Sequence, residues 1–246
     1  TGAAGGTMYG WVDYDGNETV PQGFVEVDVD GTVRSIVPAP KVTATDNFVV
    51  SASYVRDGKI VIMGTEQQKA FFGWLNNGKY VYEYDFAGNR LSQYSIPNYN
   101  NVSLFTTFAY DAEHDIIYGQ THNAQGYQVR WGYASGANPS QITWTANQTN
   151  VEDVLYALTF NQVTGKIVGI KANGDVVEVN PANGAMTKIG AVTPSEYETA
   201  IAYSPYDGGY YYGLCSEAQS AIQLLDGEDF SVITTNDLGR LFEFMS

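Results

Sequence analysis

The sequence predicts an all-β fold, a five-bladed β-propeller with four antiparallel strands in each blade, from three observations. The first is a degenerate repeat in which two apolar strands flank a polar turn and end at a glycine. Its copies include SASYVRDGKIVIMG, TTFAYDAEHDIIYG, ALTFNQVTGKIVGI and AIAYSPYDGGYYYG. The second is the spacing of the closing glycines, between 44 and 55 residues, which is the period of one four-stranded blade. The third is an aromatic content of 14%, including 19 tyrosines, which suits strands. The closing glycines are Gly10, Gly64, Gly119, Gly169 and Gly213.

Each blade should run through strands A, B, C and D from the central axis outward. The second repeat predicts these strands at 48–54, 59–64, 79–84 and 90–96, and the fourth at 154–160, 166–170, 175–179 and 186–189. The dipeptides DG and GN between the strands are hairpin signals, because they accept positive φ at little cost. In this arrangement the A–B turns lie on one face of the ring, and the B–C and D–A loops lie on the other.

The two ends of the chain are predicted to share the first blade. The first repeat has strands B, C and D at 8–14, 23–27 and 32–37, but no A strand precedes them. The apolar segment 240–245 supplies that strand and closes the ring, which removes exposed sheet edges. We therefore expect one domain over residues 1–246. Because Glu243 falls where the other copies carry Ala52, Phe108, Leu158 and Ile201, a larger propeller cut at this point is the alternative.

Charge and composition exclude several classes of partner. The formal net charge is −15, with 12 basic against 27 acidic residues, so the surface repels nucleic acid and anionic membranes. No apolar run is long enough to predict a membrane span. Cys215 has no cysteine partner, and we expect it to be a small buried residue. We also expect the protein to be a monomer. The chain opens TGAAGGT without Met, so removal of a leader fits a secreted, periplasmic or outer-surface anchored protein.

The pattern AYD…IYG…V…D…G resembles the divergent propeller repeats of secreted or surface proteins in Gram-negative gut bacteria, over almost the whole chain. The WD dipeptide and the double glycine of kelch repeats are missing. A five-bladed ring is also similar to tachylectin-type lectins and to five-bladed glycoside hydrolases. These resemblances imply a carbohydrate-binding or carbohydrate-cleaving protein, but they carry no binding or catalytic residue onto this sequence.

Acidic residues near the start alternate as in a calcium loop. An EF-hand needs glycine at its sixth position and glutamate at its twelfth, whereas the loop beginning at Asp13 has Gly16 at its fourth and Phe24 at its twelfth. We therefore interpret Asp13, Asp15 and Asn17 as turn residues. Since no HxxxH, CxxC, GxSxG, Walker or GxGxxG motif occurs, the sequence predicts no metal site and no cofactor.

The enzyme hypothesis depends on carboxylates near the axis. A five-bladed glycoside hydrolase needs at least two of them. The predicted A strands carry small neutral residues, and Glu243 is their only carboxylate. We therefore predict a non-enzymatic protein. Because the D–A loops contain Glu152, Asp153, Glu196 and Glu198, a glycoside hydrolase is the alternative.

The sequence places the ligand surface on the face with the B–C and D–A loops, because loops on a rigid scaffold usually carry binding residues. The longest of these is segment 65–78, which contains Phe71, Phe72 and Trp74. Aromatic rings beside amides and carboxylates suit sugars, so we expect a binding scaffold for a glycan, or alternatively for a protein. A purely structural role, with the aromatic residues pinning the loop to its blade, is the other interpretation. The predicted ligand-binding residues are Trp74, Tyr99, His122 and Tyr197.

Overall fold

The computed structural model describes residues 8–28, 30–123, 128–148 and 151–245. Within these residues, twenty strands form five four-stranded antiparallel sheets arranged as a ring. The prediction of a five-bladed propeller is thereby confirmed. Residues 1–7, where the first repeat was expected to begin, lie outside the described residues.

The strands occupy the following bounds. Blade 1 consists of β1 (Met8–Asp15), β2 (Gly23–Val27), β3 (Val33–Pro38) and, from the other end of the chain, β20 (Phe242–Met245). Blade 2 consists of β4 (Asn47–Arg56), β5 (Lys59–Ala70), β6 (Gly73–Tyr84) and β7 (Arg90–Ser95). Blade 3 consists of β8 (Thr107–Asp111), β9 (Ile116–His122), β10 (Val129–Ser135) and β11 (Thr143–Gln148). Blade 4 consists of β12 (Leu155–Asn161), β13 (Lys166–Lys171), β14 (Asp175–Val179) and β15 (Met186–Ala191). Blade 5 consists of β16 (Ile201–Ser204), β17 (Gly209–Leu214), β18 (Ala221–Asp226) and β19 (Val232–Asp237).

The ring closes through β20, as the sequence predicts. This strand pairs antiparallel with β1, with Val12 opposite Phe244 and Asp15 opposite Phe242. Just before β20, Arg240 Nε donates a hydrogen bond to Asp15 Oδ1 at 2.6 Å. Strands β1 and β20, from the two ends of the chain, are thus held together by backbone pairing and by the Asp15–Arg240 ion pair.

The hydrophobic core lies between the blades rather than at the axis. Five clusters of buried side chains each join two neighbouring blades. Trp11 and Phe48 join blades 1 and 2, while Val12 and Tyr211 join blades 1 and 5. The core is therefore a ring of five clusters, one between each pair of neighbouring blades.

Segment 65–78 is not the loop that the sequence predicted. Strands β5 and β6 continue through it as a hairpin, with Glu66 opposite Gly78 and Ala70 opposite Gly73. A two-residue turn, Phe71-Phe72, joins the strands, and Gly73 has a φ of +87° that favours glycine. Residues 65–67 still pair with β4 as part of the blade, whereas residues 68–75 form a two-stranded hairpin extension beyond it.

Two smaller expectations can be compared with the structure. Cys215 is buried, and burial raises the pKa of its thiol to about 11, so it is a packing residue as predicted. Among the residues that the structure describes, no helix is long and apolar enough to cross a membrane.

Candidate functional site

A cavity of about 340 Å³ opens at the axis on the face with the B–C and D–A loops. Strand β1, the A strands β4 and β20 and the loop before β16 contribute its walls. We call it the axial mouth and define it by Asp13, Val49, Tyr197, Glu198 and Glu243. Its volume lies within the range typical of small-molecule sites.

Asp13 reaches the axial mouth because of a β-bulge. Val12 lies opposite Phe244 and Tyr14 lies opposite Glu243, so Asp13 is the extra residue between two paired positions. Bulges of this kind re-aim side chains and are frequent beside functional sites. The interpretation of Asp13 as a turn residue was therefore wrong. It was right for Asp15, whose carboxylate accepts hydrogen bonds from the backbone N–H groups of Asn17, Thr19 and Val20.

The carboxyl groups of Asp13 and Glu243 both have raised pKa values. Burial raises the pKa of Asp13, the hydrogen bond from Gln22 opposes this rise, and the charge of Glu198 adds to it. Burial also raises the pKa of Glu243, and the charge of Asp13 adds to that rise. Gln22 Nε2 donates to Asp13 Oδ1 at 2.8 Å and to the carbonyl oxygen of Phe48 at 2.7 Å, which fixes the aspartate in place. Carboxyl groups that share a partly buried site are poised to accept a proton or to bind hydrogen-bond donors.

His122 and Glu198 form a fixed pair beside this cavity. His122 Nε2 lies 2.9 Å from Glu198 Oε1, and its Nδ1 lies 2.9 Å from the carbonyl oxygen of Asn123. Because both partners accept hydrogen bonds, the geometry fits an imidazole protonated on both nitrogens. The hydrogen bond to Glu198 correspondingly raises the pKa of His122.

The loop that carries Tyr197 and Glu198 is tied to the B–C loop of blade 5. The Tyr197 hydroxyl donates to Glu217 Oε1 at 2.6 Å, and this bond raises the pKa of Tyr197 to about 12. The backbone N–H of Glu217 donates in return to Glu196 Oε2 at 3.0 Å. Reciprocal bonds between the two loops pre-organise this side of the axial mouth.

The structure separates the four predicted ligand-binding residues into two groups. Tyr197 lines the axial mouth, and His122 reaches it through its bond to Glu198. Trp74 lies on the hairpin extension opposite Lys69 and is 45% exposed, and Tyr99 begins a short 3-10 turn between β7 and β8. Neither Trp74 nor Tyr99 is among the described residues that line the cavity. A role for all four in ligand binding stays a prediction.

The sequence predicted a non-enzymatic protein because it showed only one carboxylate, Glu243, near the axis. The structure places Asp13 beside Glu243, with Glu198 on the same cavity, so that premise was wrong. Two of the loop carboxylates named for the alternative have other partners. Asp153 lies 3.5 Å from Lys171 Nζ, and Glu196 binds the loop after β17. No spacing rule finds Asp13, because a bulge brings it to the cavity, whereas Glu198 was already among the loop carboxylates named from the sequence.

The two histidines lie at opposite ends of strand β9. His114 Nδ1 lies 2.7 Å from Asp111 Oδ2 in the turn between β8 and β9, whereas His122 ends β9. Among the described residues, no group of three or more His, Cys, Asp or Glu side chains has an arrangement that could hold a metal ion.

The aromatic side chains of the hairpin extension should contribute little to folding. Phe71 and Phe72 are 93% and 91% exposed and contact each other edge to face, so they do not pin the segment to its blade. We therefore expect Trp74→Ala to change the free energy of unfolding by about 0.5 kcal/mol or less, as is usual for surface substitutions. Thermal unfolding followed by circular dichroism measures this. A fall of several degrees in the melting temperature would instead identify Trp74 as an anchor of the hairpin.

Comparisons with known proteins identify the fold alone. No protein-family model matches the chain, and the comparison with curated proteins gives no match either. Among solved structures, the chain is similar to a luciferin-regenerating enzyme, with 8% identity, a TM-score of 0.51, and coverage of 94% of this chain and 80% of that one. It is also similar to TolB from Acinetobacter baumannii, with 10% identity, a TM-score of 0.47, and coverage of 98% and 63%.

A third similar structure is the WD40 repeat region of RRP9, with 11% identity and a TM-score of 0.43. The match covers 80% of this chain, which spans 56% of the length of that structure. One of these three neighbours is named as an enzyme, and all three likenesses show the fold alone. They do not decide whether this chain is an enzyme, and the expected bacterial origin also stays a prediction.

Proposed function

We propose that this protein is a binding scaffold that holds a glycan in the axial mouth. The observation that carries the proposal is the combination of carboxylates and a tyrosine around a preformed cavity of about 340 Å³. Carboxylate oxygens accept hydrogen bonds from sugar hydroxyls, while the Tyr197 ring and the apolar wall at Val49 suit the C–H face of a sugar. A secreted, periplasmic or outer-surface location belongs to the same proposal.

Charge restricts the class of glycan. The axial mouth is lined by three carboxylates and by no Lys or Arg among the described residues; nearby, His122 is already paired with Glu198, and Lys41 acts on Asp13 from outside the lining. An anionic sugar would bring like charges into a partly buried site, which is unfavourable. The expected ligands are therefore neutral saccharides or saccharides with a free amino group, rather than uronates, sulfated sugars or sialosides.

Removing one carboxylate should weaken binding without harming the fold. We expect Glu243→Gln to reduce the affinity for a glycan identified on an array by about tenfold or more, since a hydrogen bond to a charged group contributes roughly 1.5–3 kcal/mol. Isothermal titration calorimetry with that glycan measures the change. The matched control is Glu113→Gln, an exposed carboxylate at an A–B turn on the opposite face. Equal affinities of the two variants would contradict the assignment of the site.

The same substitution should change how stability depends on pH. Because the folded-state pKa of Glu243 is raised, its contribution to stability is present at low pH and is lost as the pH rises through the folded pKa. We expect Glu243→Gln to melt at the same or a higher temperature than the unaltered protein at pH 7. The difference in melting temperature between the two proteins should shrink as the pH falls and the carboxyl group of Glu243 in the unaltered protein becomes protonated. A lower melting temperature of the variant at pH 7 would show that the charge stabilises the fold.

The second candidate function is that of a glycoside hydrolase, and the paired carboxylates favour it. Glycoside hydrolysis requires a carboxylic acid with a raised pKa beside a second carboxylate, and Glu243 and Asp13 offer that pairing. Turnover of aryl-glycosides tests it. Release of the aryl group that is abolished by both Glu243→Gln and Asp13→Asn would favour the enzyme, whereas binding without turnover favours the scaffold.

A further inference from the structure

The opposite end of the axis has a second cavity of different chemistry, with a volume of about 460 Å³. It lies on the face with the A–B turns, and all five blades contribute to its wall. We call it the aromatic cup and define it by five tyrosines around it. They are Tyr9, Tyr54, Tyr110, Tyr203 and Tyr206.

Four of the five rings of the aromatic cup are held by contacts with neighbouring rings. Tyr9 stacks on Phe24 with centroids 5.8 Å apart, and Tyr203 contacts Tyr210 edge to face at 5.1 Å. Tyr54 and Tyr110 contact each other at 4.5 Å. A wall whose rings are already ordered loses little conformational entropy when a ligand binds.

The hydroxyl groups of two of these rings are committed elsewhere. The Tyr54 hydroxyl donates to the carbonyl oxygen of Gly136 at 2.6 Å, and the Tyr110 hydroxyl donates to Asp115 Oδ1 at 2.7 Å. Tyr54 and Tyr110 therefore offer mainly their carbon surfaces to the cavity.

No described residue that lines the aromatic cup carries a charge, although the chain has a net charge of −15. A charged ligand would lose hydration there without gaining a counter-charge from the wall, which is costly. Charge matching therefore favours a neutral ligand, and the lining favours one with aromatic surface.

We propose that the aromatic cup is a binding site for a neutral aromatic compound, held by the ring faces of its five tyrosines. This site is separate from the axial mouth and does not depend on the glycan proposal. It has the form of a small-molecule site, a mainly apolar concavity with few polar groups.

A matched series of ligands tests the charge argument. Benzyl alcohol, benzoate and benzylammonium share a ring and differ in charge, and their binding is measured by NMR titration of the whole chain at pH 7. We expect benzyl alcohol to bind at least about tenfold more tightly than either ion, because the wall offers no counter-charge. Equal or tighter binding of benzylammonium would overturn the proposal in favour of a cation–π site. Absence of benzyl alcohol binding up to its solubility would overturn it outright.

One variant and its control test the residues. Tyr206→Ala should weaken binding of benzyl alcohol and of toluene several-fold without lowering the melting temperature, since Tyr206 is 74% exposed. The matched control is Tyr133→Ala, another exposed tyrosine, which lies on β10 outside the cup and should leave both affinities unchanged. Equal affinities of the two variants for benzyl alcohol would contradict the assignment.

Discussion

Replacing Arg240 by glutamine should lower the free energy of unfolding by about 3 kcal/mol, because the change leaves a buried carboxylate without its charged partner. Asp15 has a fully buried side chain, and Arg240 donates to both of its oxygens, at 2.6 Å and 3.3 Å. The guanidinium also lies over the ring of Phe242, with 4.6 Å between its Cζ and the ring centroid. The substitution therefore weakens the contacts of Arg240 with Asp15 and Phe242, which hold β20 against β1 in blade 1.

The electrostatics of Asp15 agree with this expectation. Burial by itself would raise the pKa of Asp15, but hydrogen bonds from Arg240 and from the backbone of Asn17 and Val20 hold it far below its usual range. A carboxylate with a depressed folded-state pKa stabilises the fold above its unfolded pKa, near 4, and loses this contribution as the pH falls through the folded value. The difference between Arg240→Gln and the unaltered protein should therefore narrow in strong acid.

Denaturant unfolding at pH 7 measures the Arg240→Gln effect. The matched control is Arg34→Gln, which removes an ion pair with Asp28 whose two side chains are 48% and 40% exposed. Exposed pairs contribute about 0–1 kcal/mol, so the control should unfold close to the unaltered protein. Equal losses in the two variants would mean that ring closure does not depend on the Asp15–Arg240 pair.

Replacing Gly119 by alanine should cost about 1–3 kcal/mol, because it overpacks a position where two strands meet closely. Gly119 lies opposite Phe108 in the β8–β9 pair. A Cβ at this position would lie less than 3 Å from the carbonyl oxygen of Thr107 and from the ring of Phe105. Since the carbonyl belongs to the backbone, it cannot move aside without disturbing the pairing.

Gly10 supplies the control for Gly119, because it is the corresponding glycine of the first repeat and lies within β1. A Cβ on Gly10 would have no atom within 4 Å. We expect Gly10→Ala to be neutral, and Gly119→Ala to lower the melting temperature by several degrees, at about 2–4 °C per kcal/mol for a domain of this size. Similar melting temperatures for the two variants would show that the recurring glycine has no steric role.

The periodic features of the fold could be predicted from the sequence, because they depend on local chemistry. The Asp57-Gly58 turn has positive φ at both residues and joins β4 to β5 as the DG signal predicts. The missing A strand of the first repeat and the unpartnered strand at the chain end together predicted the closure by β20. These predictions were possible because the same pattern recurs in every blade, so the strands assigned in one repeat could be compared with those in the others.

The candidate site could be predicted only in part, for a reason seen in single residues. Tyr197 was placed on the correct face because strand order alone assigns its loop to that face. Asp13 was missed because one residue of bulge in the β1–β20 pair decides where its side chain points. The hairpin at 65–78 was missed because its cross-strand pairs stabilise a segment whose composition is typical of a loop.

What the sequence by itself determined is the number of blades, the order of their strands and the face to which each loop belongs, since these follow from apolar periodicity and turn chemistry within each repeat. What the tertiary structure decided is which side chains meet. His122 and Glu198 are 76 positions apart, and Asp13 and Glu243 come from opposite ends of the chain. Their proximity depends on ring closure and strand register, which are set by packing between blades and leave no local pattern in the sequence.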